Sequence, residues 1–578
     1  MSAGAEPVQR AGAGADPGQP MDAGADPGQP MGAGTDAGQP PGASADPGRP
    51  MGAGAEPGRG IGTGEEWSRA GWRAHLPGVG DVPAYIGRLG EATIPELAAA
   101  SADRVPDRIA VSVDGEPITH AELDAGAGRV AGWLAGRLRP GDRVLLAAGA
   151  GLGFLRCYLG SLRAGAVVVL ANPDSTAPEL AHLVSDSGAR VAFADPGPTR
   201  LLQTLPAPPL TVAAAGLPPG PPGRAGQRIR ARPADTALLA YTSGTTGQPK
   251  GVPLTHRQLA TSVRAAMAAW RWSPGDVLVH ALPLFHQHGL GGVHATLIAG
   301  ATGHVRSKFT PSDVIETVRA THASVLLGVP TMYQALLAAA GAGTQHGGPV
   351  LAGLRLAVCG SALLSPAVAE RLPGVLGRMP LVRYGTTETG LSVSNTCDDP
   401  RASTIGVPLP GVMARLWSQG AEPAGGRDGE IQVRGPQVFG GYWRDPVATA
   451  AAFTQDGWFR TGDIGRVDPV SGQLAIRGRI KEMIITGGLN VYPAEVEMAL
   501  ESHPSVAEAA VAGVPHERWG EQVTAWVVMR PGREFDERAL IAHARAALTA
   551  YKCPKRVFQL EALPRNHMGK VVRTALPL

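Results

Sequence analysis

Cysteine is scarce in this sequence. The 578 residues include four cysteines, which are far apart and form no Cys-x-x-Cys pair. A disulfide framework or a thiol-based zinc site normally needs closely spaced or paired cysteines. We therefore expect Cys157, Cys359, Cys397 and Cys553 to be free thiols in a protein of the reducing cytoplasm.

Long apolar runs and an excess of charge are also missing. No run of about 18 apolar residues occurs, so we predict no integral membrane association. The N-terminus lacks the basic-then-apolar pattern of a secretory signal. A formal net charge of +3 is too small at this length to indicate binding to nucleic acid.

The first 60 residues lack the side chains that build a core. They form six ten-residue units with no aromatic residue, leucine, isoleucine or lysine. Seven acidic residues against three arginines give them a net charge of −4. Such a segment buries too little apolar surface to offset the entropy lost on ordering it. We predict a disordered repeat tail over residues 1–80.

The rest of the chain alternates short apolar runs with helical patterns. Capping boxes precede two predicted helices, at residues 119–122 and 255–258. The runs typical of buried strands are residues 143–147, 166–170, 191–193, 237–240, 324–327 and 355–358. This alternation predicts an α/β fold with parallel-type sheets. We expect a large multi-layered domain over residues 81–480 and a small mobile α/β domain over residues 481–578.

Residues 241–251 place a loop of glycines and hydroxyl residues, followed by a lysine, directly after a predicted strand. Glycines let backbone N–H groups turn inward, hydroxyls add donors, and Lys250 supplies a point charge, which together suit a phosphate group. The P-loop NTPase signature fails because Pro249 occupies the position that needs glycine. For an isolated run of this kind, a surface linker is the alternative.

Seven further segments, in chain order, extend this pattern. They are residues 283–286, 360–362, 384–388, 458–463, 478–481, 487–493 and 564–570. With them, the chain from about Ile94 onward resembles the adenylate-forming enzymes: acyl-CoA synthetases, luciferases and peptide-synthetase adenylation domains. The resemblance implies an ATP-, Mg²⁺- and CoA-dependent ligase that activates a small-molecule carboxylic acid as an acyl-adenylate. Both reactants are anions, so positioning and charge neutralisation supply most of the catalysis.

The resemblance also assigns residues to ATP and to the metal ion. Lys250 would assist the phosphate loop, and Glu388 would ligate Mg²⁺, which favours oxygen ligands. Asp463 would accept both ribose hydroxyls through its two oxygens. The residues implied in ATP binding are Thr242, Ser243, Gly244, Thr245, Thr246, Gly247, Gly360, Ser361, Tyr384, Thr387, Asp463 and Arg479.

Near the C-terminus, Lys570 matches the catalytic lysine of the first half-reaction, although a solvated terminal lysine is the alternative reading of such a residue. In this family the small domain then rotates about the residue that matches Lys481. That motion brings Gly487 and Gly488 to the pantetheine tunnel, where glycine leaves room for CoA.

Four histidines cluster at residues 280–294, which raises the question of zinc. No His-Glu-x-x-His motif or cysteine pair accompanies them, so zinc is not favoured. His286 is better interpreted as a catalytic pocket residue that orients the substrate carboxylate.

The segments at residues 283–290, 328–333, 384–390 and 405–411 look most like malonyl-CoA synthetases. Thr386 departs from that pattern, because those enzymes usually carry methionine there. A dicarboxylate needs a cation for its distal charge. The candidates in the acyl pocket are Arg306, Lys308 and Arg383.

Three alternatives remain. The chain resembles medium-chain and aryl acyl-CoA synthetases in the same fold, or it loads a carrier protein in trans, since it contains no carrier module. A catalytically idle adenylate-binding scaffold is the third. The presence of Lys250, Glu388, Asp463 and Lys570 together argues against it.

Overall fold

The computed structural model describes residues 63–216, 231–242, 249–341, 349–423, 426–565 and 570–577. The helices in this part of the chain are α1 (Gly64–His75), α2 (Val82–Gly87), α3 (Ile94–Arg104), α4 (His120–Ala135), α5 (Leu152–Arg163), α6 (Ala177–Ser187), α7 (Pro196–Gln203), α8 (His256–Ala269), α9 (Gln287–Ala299), α10 (Pro311–Ala320), α11 (Pro330–Gly341), α12 (Pro366–Ala369), α13 (Pro373–Leu376), α14 (Pro446–Ala452), α15 (Pro493–Glu501) and α16 (Glu537–Ala547).

The strands alternate with these helices over most of the chain. The first twelve are β1 (Ile109–Val113), β2 (Glu116–Thr119), β3 (Arg143–Ala147), β4 (Val167–Leu170), β5 (Val191–Ala194), β6 (Leu210–Ala213), β7 (Thr236–Thr242), β8 (Lys250–Thr255), β9 (Val277–His280), β10 (Thr302–Val305), β11 (Val325–Gly328) and β12 (Leu356–Cys359). The others are β13 (Leu381–Thr386), β14 (Gly390–Ser394), β15 (Val407–Pro408), β16 (Met413–Trp417), β17 (Gly429–Arg434), β18 (Phe459–Val467), β19 (Leu474–Arg479), β20 (Ile484–Thr486), β21 (Leu489–Val491), β22 (Val506–His516), β23 (Gly520–Met529) and β24 (Arg556–Gln559).

Two large, mostly parallel sheets form the centre of the molecule. A nine-stranded sheet has the order β15-β14-β13-β12-β11-β9-β10-β1-β2, and a six-stranded sheet has the order β6-β5-β3-β4-β7-β8. Their inner strands are fully buried runs of aliphatic residues, as in β4 and β11, because helices cover both faces. The predicted α/β class is confirmed, and both capping boxes start helices as expected, at α4 and α8.

Two smaller sheets follow. Strands β16-β17-β18-β19 form an antiparallel sheet, and β21-β20-β23-β22 form another, to which β24 adds in parallel along β23. Helices α15 and α16 pack on this last sheet around a separate core that includes Val496, Leu500 and Val511. The division at residues 480 and 481 stays a prediction, but the C-terminal part has a core of its own.

The predicted disordered tail extends too far along the chain. Within residues 1–80 the structure describes α1, which begins with a capping box formed by Thr63 and Glu66. The ring nitrogen of Trp67 donates to the carbonyl of Gly472, and that of Trp72 to the carbonyl of Val412, each at 2.8 Å. These anchors fasten α1 to the segments just before β19 and β16 of the four-stranded sheet. Residues 1–62 lie outside the described ones.

In the described part of the chain, every helix is too short or too polar to cross a membrane.

Candidate active site

A cavity of about 170 Å³ lies at the carboxyl ends of the parallel strands of the nine-stranded sheet. Helix α8 supplies a mainly apolar wall, and the start of α9 supplies the wall opposite. Strands β11 and β13 contribute Leu327 and Arg383 from below. Ligands of α/β proteins usually bind at this edge of a sheet, because the loops diverge there. The position of the cavity therefore marks it as the acyl site candidate.

Arg383 is the charged side chain of this cavity. It is only 8% exposed, and within the described residues its Nε and Nη2 have no hydrogen-bond partner. Burial lowers the pKa of this guanidinium to about 10, against the opposing effect of the Cys359 thiol. Gly360 makes the arrangement possible, since a Cβ there would overlap Arg383 Nε. A buried, unpaired cation of this kind is costly unless an anion joins it.

The other two predicted acyl-site cations are elsewhere. Arg306 Nη2 donates to Asp313 Oδ1 at 2.6 Å and to the hydroxyl of Thr317 at 2.7 Å. Lys308 is exposed on the loop after β10. Of the three candidates, only Arg383 lines the cavity.

Burial holds the histidines near the cavity in the neutral form. It lowers the pKa of His280 to about 4 and that of His294 to about 3. The pKa of His288 is also well below its ordinary value, first because of burial and then because of the charge of Arg383. His288 Nδ1 lies 3.1 Å from the hydroxyl of Ser361. Within the described residues, no three His, Cys, Asp or Glu side chains are arranged to hold a metal ion.

His286 and Ser361 lie at the mouth of the cavity. His286 is the N-cap residue of α9 and lines the cavity beside Gln287. The side chain of Gln287 donates to the carbonyl of Thr387 at 2.9 Å. Ser361 follows β12 with a φ of 71°, a left-handed conformation that is strained for a residue with a side chain. The loops after β12 and β13 are thus joined to the start of α9.

Three of the predicted ATP-binding residues lie together. Tyr384 donates its hydroxyl to Asp463 Oδ2 at 2.6 Å, and Arg479 Nε donates to Asp463 Oδ1 at 2.7 Å. Asp463 and Arg479 are register partners on β18 and β19. Burial raises the pKa of Tyr384 well above its ordinary value, and the charge of Asp463 adds to the effect. Sequence reasoning placed these three residues in one site, and the fold brings them into contact.

The phosphate loop itself, Ser243 to Gly247, lies outside the described residues. Its two ends are described: Thr242 and Lys250 are register partners on β7 and β8. Lys250 Nζ is 5.2 Å from the centre of the Tyr442 ring, and the Tyr442 hydroxyl donates to Glu388 Oε1 at 3.0 Å. Tyr442 therefore links the predicted phosphate lysine to the predicted metal ligand.

Glu388 has the chemistry and the free acceptor positions that a magnesium ligand needs. A carboxylate has about four acceptor positions, so the hydrogen bond from Tyr442 to one oxygen leaves room for a cation. Mg²⁺ commonly takes one or two protein carboxylates and completes its shell with waters and phosphate oxygens. A single carboxylate that shares the neighbour Tyr442 with Lys250 suits that preference.

Lys570, in the C-terminal part of the chain, interacts electrostatically with the predicted ribose-binding residues Asp463 and Arg479. Burial lowers its pKa, and the charges of Arg479 and Arg573 lower it further, against Glu482 and Asp463. The charges of Asp463 and Arg479 therefore act on the Lys570 ammonium in this arrangement of the C-terminal part.

The predicted hinge and CoA loop flank strand β20 along the chain. Lys481 is exposed in a short 3₁₀ turn that follows β19. Gly487 and Gly488 form the turn between β20 and β21, with φ values of 58° and 80°. Both φ values lie in the left-handed region, which explains glycine at both positions.

The pKa of one acidic residue, Glu501, is raised at the contact between the C-terminal part and the large sheets. Glu501, the last residue of α15, accepts a hydrogen bond from the backbone of Ala509 at 3.3 Å. Burial raises its pKa to about 7, and the charge of Glu497 adds to the effect. The Ala509 N–H and the hydroxyl of Ser365, which precedes α12, oppose this rise.

From the raised pKa of Glu501 we predict that the stability of this arrangement of the C-terminal part depends on pH. Because the pKa of Glu501 is raised, its contribution to this arrangement is full below the ordinary value of 4.5 and is lost as the pH rises through about 7. We expect the single-turnover rate of adenylation to decrease between about pH 6 and 8 in wild type. In Glu501→Gln, this decrease should be about threefold smaller. Glu534→Gln, at an exposed position, serves as the control. Identical pH profiles for wild type and Glu501→Gln would contradict this prediction.

Sequence reasoning missed Tyr442 and the apolar residues that close the cavity. Tyr442 lies in a Gly-Gly-Tyr-Trp stretch that carries no local sign of phosphate chemistry. Met267 lies in the last turn of an ordinary amphipathic helix, and Trp272 follows shortly after the end of that helix. Only the tertiary fold shows that these side chains border the site.

Comparisons with known proteins show what this chain is similar to. The family model for the AMP-binding enzyme matches residues 98–443, and that for its C-terminal domain matches residues 495–570. A fatty acid–[acyl-carrier-protein] ligase of Streptomyces coeruleorubidus is 34% identical over 84% of this chain and 96% of its own length. The mitochondrial malonate–CoA ligase of Homo sapiens is 38% identical over 59% of this chain and 65% of its own length. The solved structure of ATP-bound MatB from Rhodopseudomonas palustris has a TM-score of 0.74 and 37% identity, covering 84% of this chain and 98% of that one.

Proposed function

Since the chain belongs to the family of AMP-binding enzymes and is an acyl-CoA synthetase that uses ATP, Mg²⁺ and CoA, we propose that it activates malonate or a small substituted malonate. The observation that carries this proposal is Arg383, a buried guanidinium that faces the acyl cavity with two nitrogens lacking partners in the described residues.

A guanidinium suits the distal carboxylate of a dicarboxylic acid. Its N–H groups form a planar fork that can bind both oxygens of one carboxylate. The apolar wall from α8 lowers the local dielectric constant, so the pair is stronger there than in water. A monocarboxylic acid in the same place would leave Arg383 buried without an anion, which is unfavourable.

The size of the cavity supports a small acid. Its volume is about 170 Å³, and a cavity of about 150 Å³ holds a molecule the size of benzene. Malonate and methylmalonate have about as many non-hydrogen atoms as benzene. An eight-carbon chain does not fit without rearrangement of the wall.

In the first half-reaction, a carboxylate oxygen of the acid bonds to the α-phosphorus of ATP, and the bond to pyrophosphate breaks. Asp463 and Tyr384 hold the ribose end of the nucleotide, and Lys570 places its positive charge where negative charge develops. Glu388 would hold Mg²⁺, which would supply charge neutralisation at the phosphates. The CoA thiolate then attacks the carbonyl carbon, and AMP leaves with its phosphate oxygen.

Loading of a carrier protein in trans is the second candidate. The relative from Streptomyces coeruleorubidus, a fatty acid–[acyl-carrier-protein] ligase, matches 84% of this chain. Since the thiol of a carrier's phosphopantetheine is the same group as that of CoA, the adenylation site does not distinguish the two acceptors.

A substrate scan tests the proposal. AMP release is measured with ATP and Mg²⁺ on malonate, methylmalonate, acetate, octanoate and benzoate, each with and without CoA. We expect kcat/KM for malonate or methylmalonate to exceed that for acetate by at least about a hundredfold, as is usual when a site has a buried partner for one group. A preference for octanoate or benzoate would overturn the dicarboxylate assignment. Adenylate that CoA does not discharge would instead favour the carrier protein.

A further inference from the structure

The acyl cavity shares a wall with a second space. Met267 and Trp272 line the acyl cavity of about 170 Å³, which we call the inner cavity. The same two side chains line an outer groove of about 480 Å³ on their other side. Both residues are partly exposed although they pack against the core, because each faces a space on two sides.

The end of helix α8 builds this wall. The backbone N–H of Trp272 donates to the carbonyl of Met267 at 2.9 Å, and that of Arg271 donates to Ala268 at 3.1 Å. These two bonds form a Schellman motif, which commonly places the side chains at its first and last positions in contact. Arg271 takes the left-handed position with a φ of 55°. The helix end therefore fixes where Met267 and Trp272 stand relative to the cavity.

The two tryptophans at this helix end are held differently. The ring nitrogen of Trp270 donates to the hydroxyl of Ser394 at 3.0 Å. The ring nitrogen of Trp272 is buried without a hydrogen-bond partner among the described residues. Packing alone thus holds the Trp272 ring between the two spaces.

The far side of the outer groove comes from the N-terminal segment. Helix α1 ends at His75, and this residue, Leu76 and Tyr85 face Met267 and Trp272 across the groove. Ile298 of α9 adds a further aliphatic side chain. The groove is therefore lined mainly by apolar side chains, together with Arg264 and Arg271.

We propose that Met267 and Trp272 are specificity-determining residues that limit the length of the acyl group, and that a longer acyl chain enters the outer groove once this wall is reduced. The inference rests on the proposed function only in placing the acyl group in the inner cavity. It does not depend on the acid being a malonate.

The test uses the full chain and two series of acids: malonate with methyl, ethyl and butyl substituents at carbon 2, and the straight-chain acids from acetate to octanoate. Met267→Ala is the main variant, and Trp272→Leu is the second, since leucine keeps part of the packing. Met529→Ala, a partly buried methionine of the C-terminal core, is the matched control. Circular dichroism and ATP binding check that each variant is folded.

We expect Met267→Ala to raise the ratio of kcat/KM for the longest to the shortest accepted acid by at least about tenfold, since one methylene in an apolar pocket changes kcat/KM by about that factor. Trp272→Leu should shift the ratio in the same direction, and Met529→Ala should not shift it. If the folded wall variants keep the wild-type ratio, the inference is overturned, whatever the preferred acid. If wild type uses straight-chain acids but not malonates, the dicarboxylate proposal alone fails. If wild type uses neither series, both fail.

Discussion

Replacement of Arg383 by methionine is expected to lower kcat/KM for malonate by about a hundredfold to five-thousandfold. Breaking a buried ion pair by removing one partner costs about 3–5 kcal/mol, and each 1.36 kcal/mol is a factor of ten in rate. Here the distal carboxylate of the substrate would be left in an apolar cavity without its cation. Steady-state kinetics with malonate as the varied substrate measures the loss.

The same substitution should act differently on monocarboxylates and on stability. Methionine fills a similar volume without a charge, and replacing a buried charge by an apolar side chain is often neutral or stabilising. We therefore expect kcat/KM for butanoate to stay equal or to rise, and the melting temperature not to fall. The selectivity for malonate over butanoate then collapses, which a general defect in ATP binding would not produce.

Arg306→Met is the matched control for this experiment. Arg306 is bonded to Asp313 and Thr317 away from the cavity, so its loss should leave malonate kinetics within about threefold of wild type, as for a partly exposed ion pair. The opposite pattern, with malonate use lost in Arg306→Met and retained in Arg383→Met, would contradict the assignment of Arg383.

The features that sequence predicted well are those decided locally. A capping box needs only Thr255 and Gln258, three residues apart on one chain, and the structure forms both of its hydrogen bonds. A buried parallel strand needs an unbroken apolar run, which residues 144–147 supply within β3. The order of the family segments likewise depends on nothing beyond the chain itself.

The features that sequence did not decide depend on which elements become neighbours. Arg306 and Arg383 each belong to or follow a strand, and only the sheet order places β13 beneath the cavity. The predicted tail, residues 1–80, includes residues that are folded. Sequence does not show this because Trp67 and Trp72 bond to residues more than 300 positions away. Residues 63–80 have too little apolar content to predict a fold alone, yet they close the outer groove.

Replacement of Lys570 by alanine is expected to slow adenylation by about a hundredfold to a thousandfold, the usual effect of removing one charged donor aimed at a developing negative charge. The second half-reaction, from a presynthesised acyl-adenylate, should stay within about threefold of wild type, because the lysine serves the nucleotide arrangement only. Single-turnover assays of the two steps separate these effects. Lys555→Ala, whose ammonium donates to the carbonyl of Ala550 on the surface, should leave both steps unchanged.

The pH dependence of adenylation provides a second, independent test of the role of Lys570. Burial is the main cause that lowers the pKa of Lys570 from its ordinary value of 10.5, so the charged form is lost at a lower pH than for a solvated lysine. Adenylation by wild type should therefore fall on the alkaline side before pH 10.5 is reached, and Lys570→Arg, which stays charged, should lose that fall while keeping part of the activity. Equal slowing of both half-reactions in Lys570→Ala would instead assign Lys570 a structural role, because a residue that only supports the fold has no reason to affect one step more than the other.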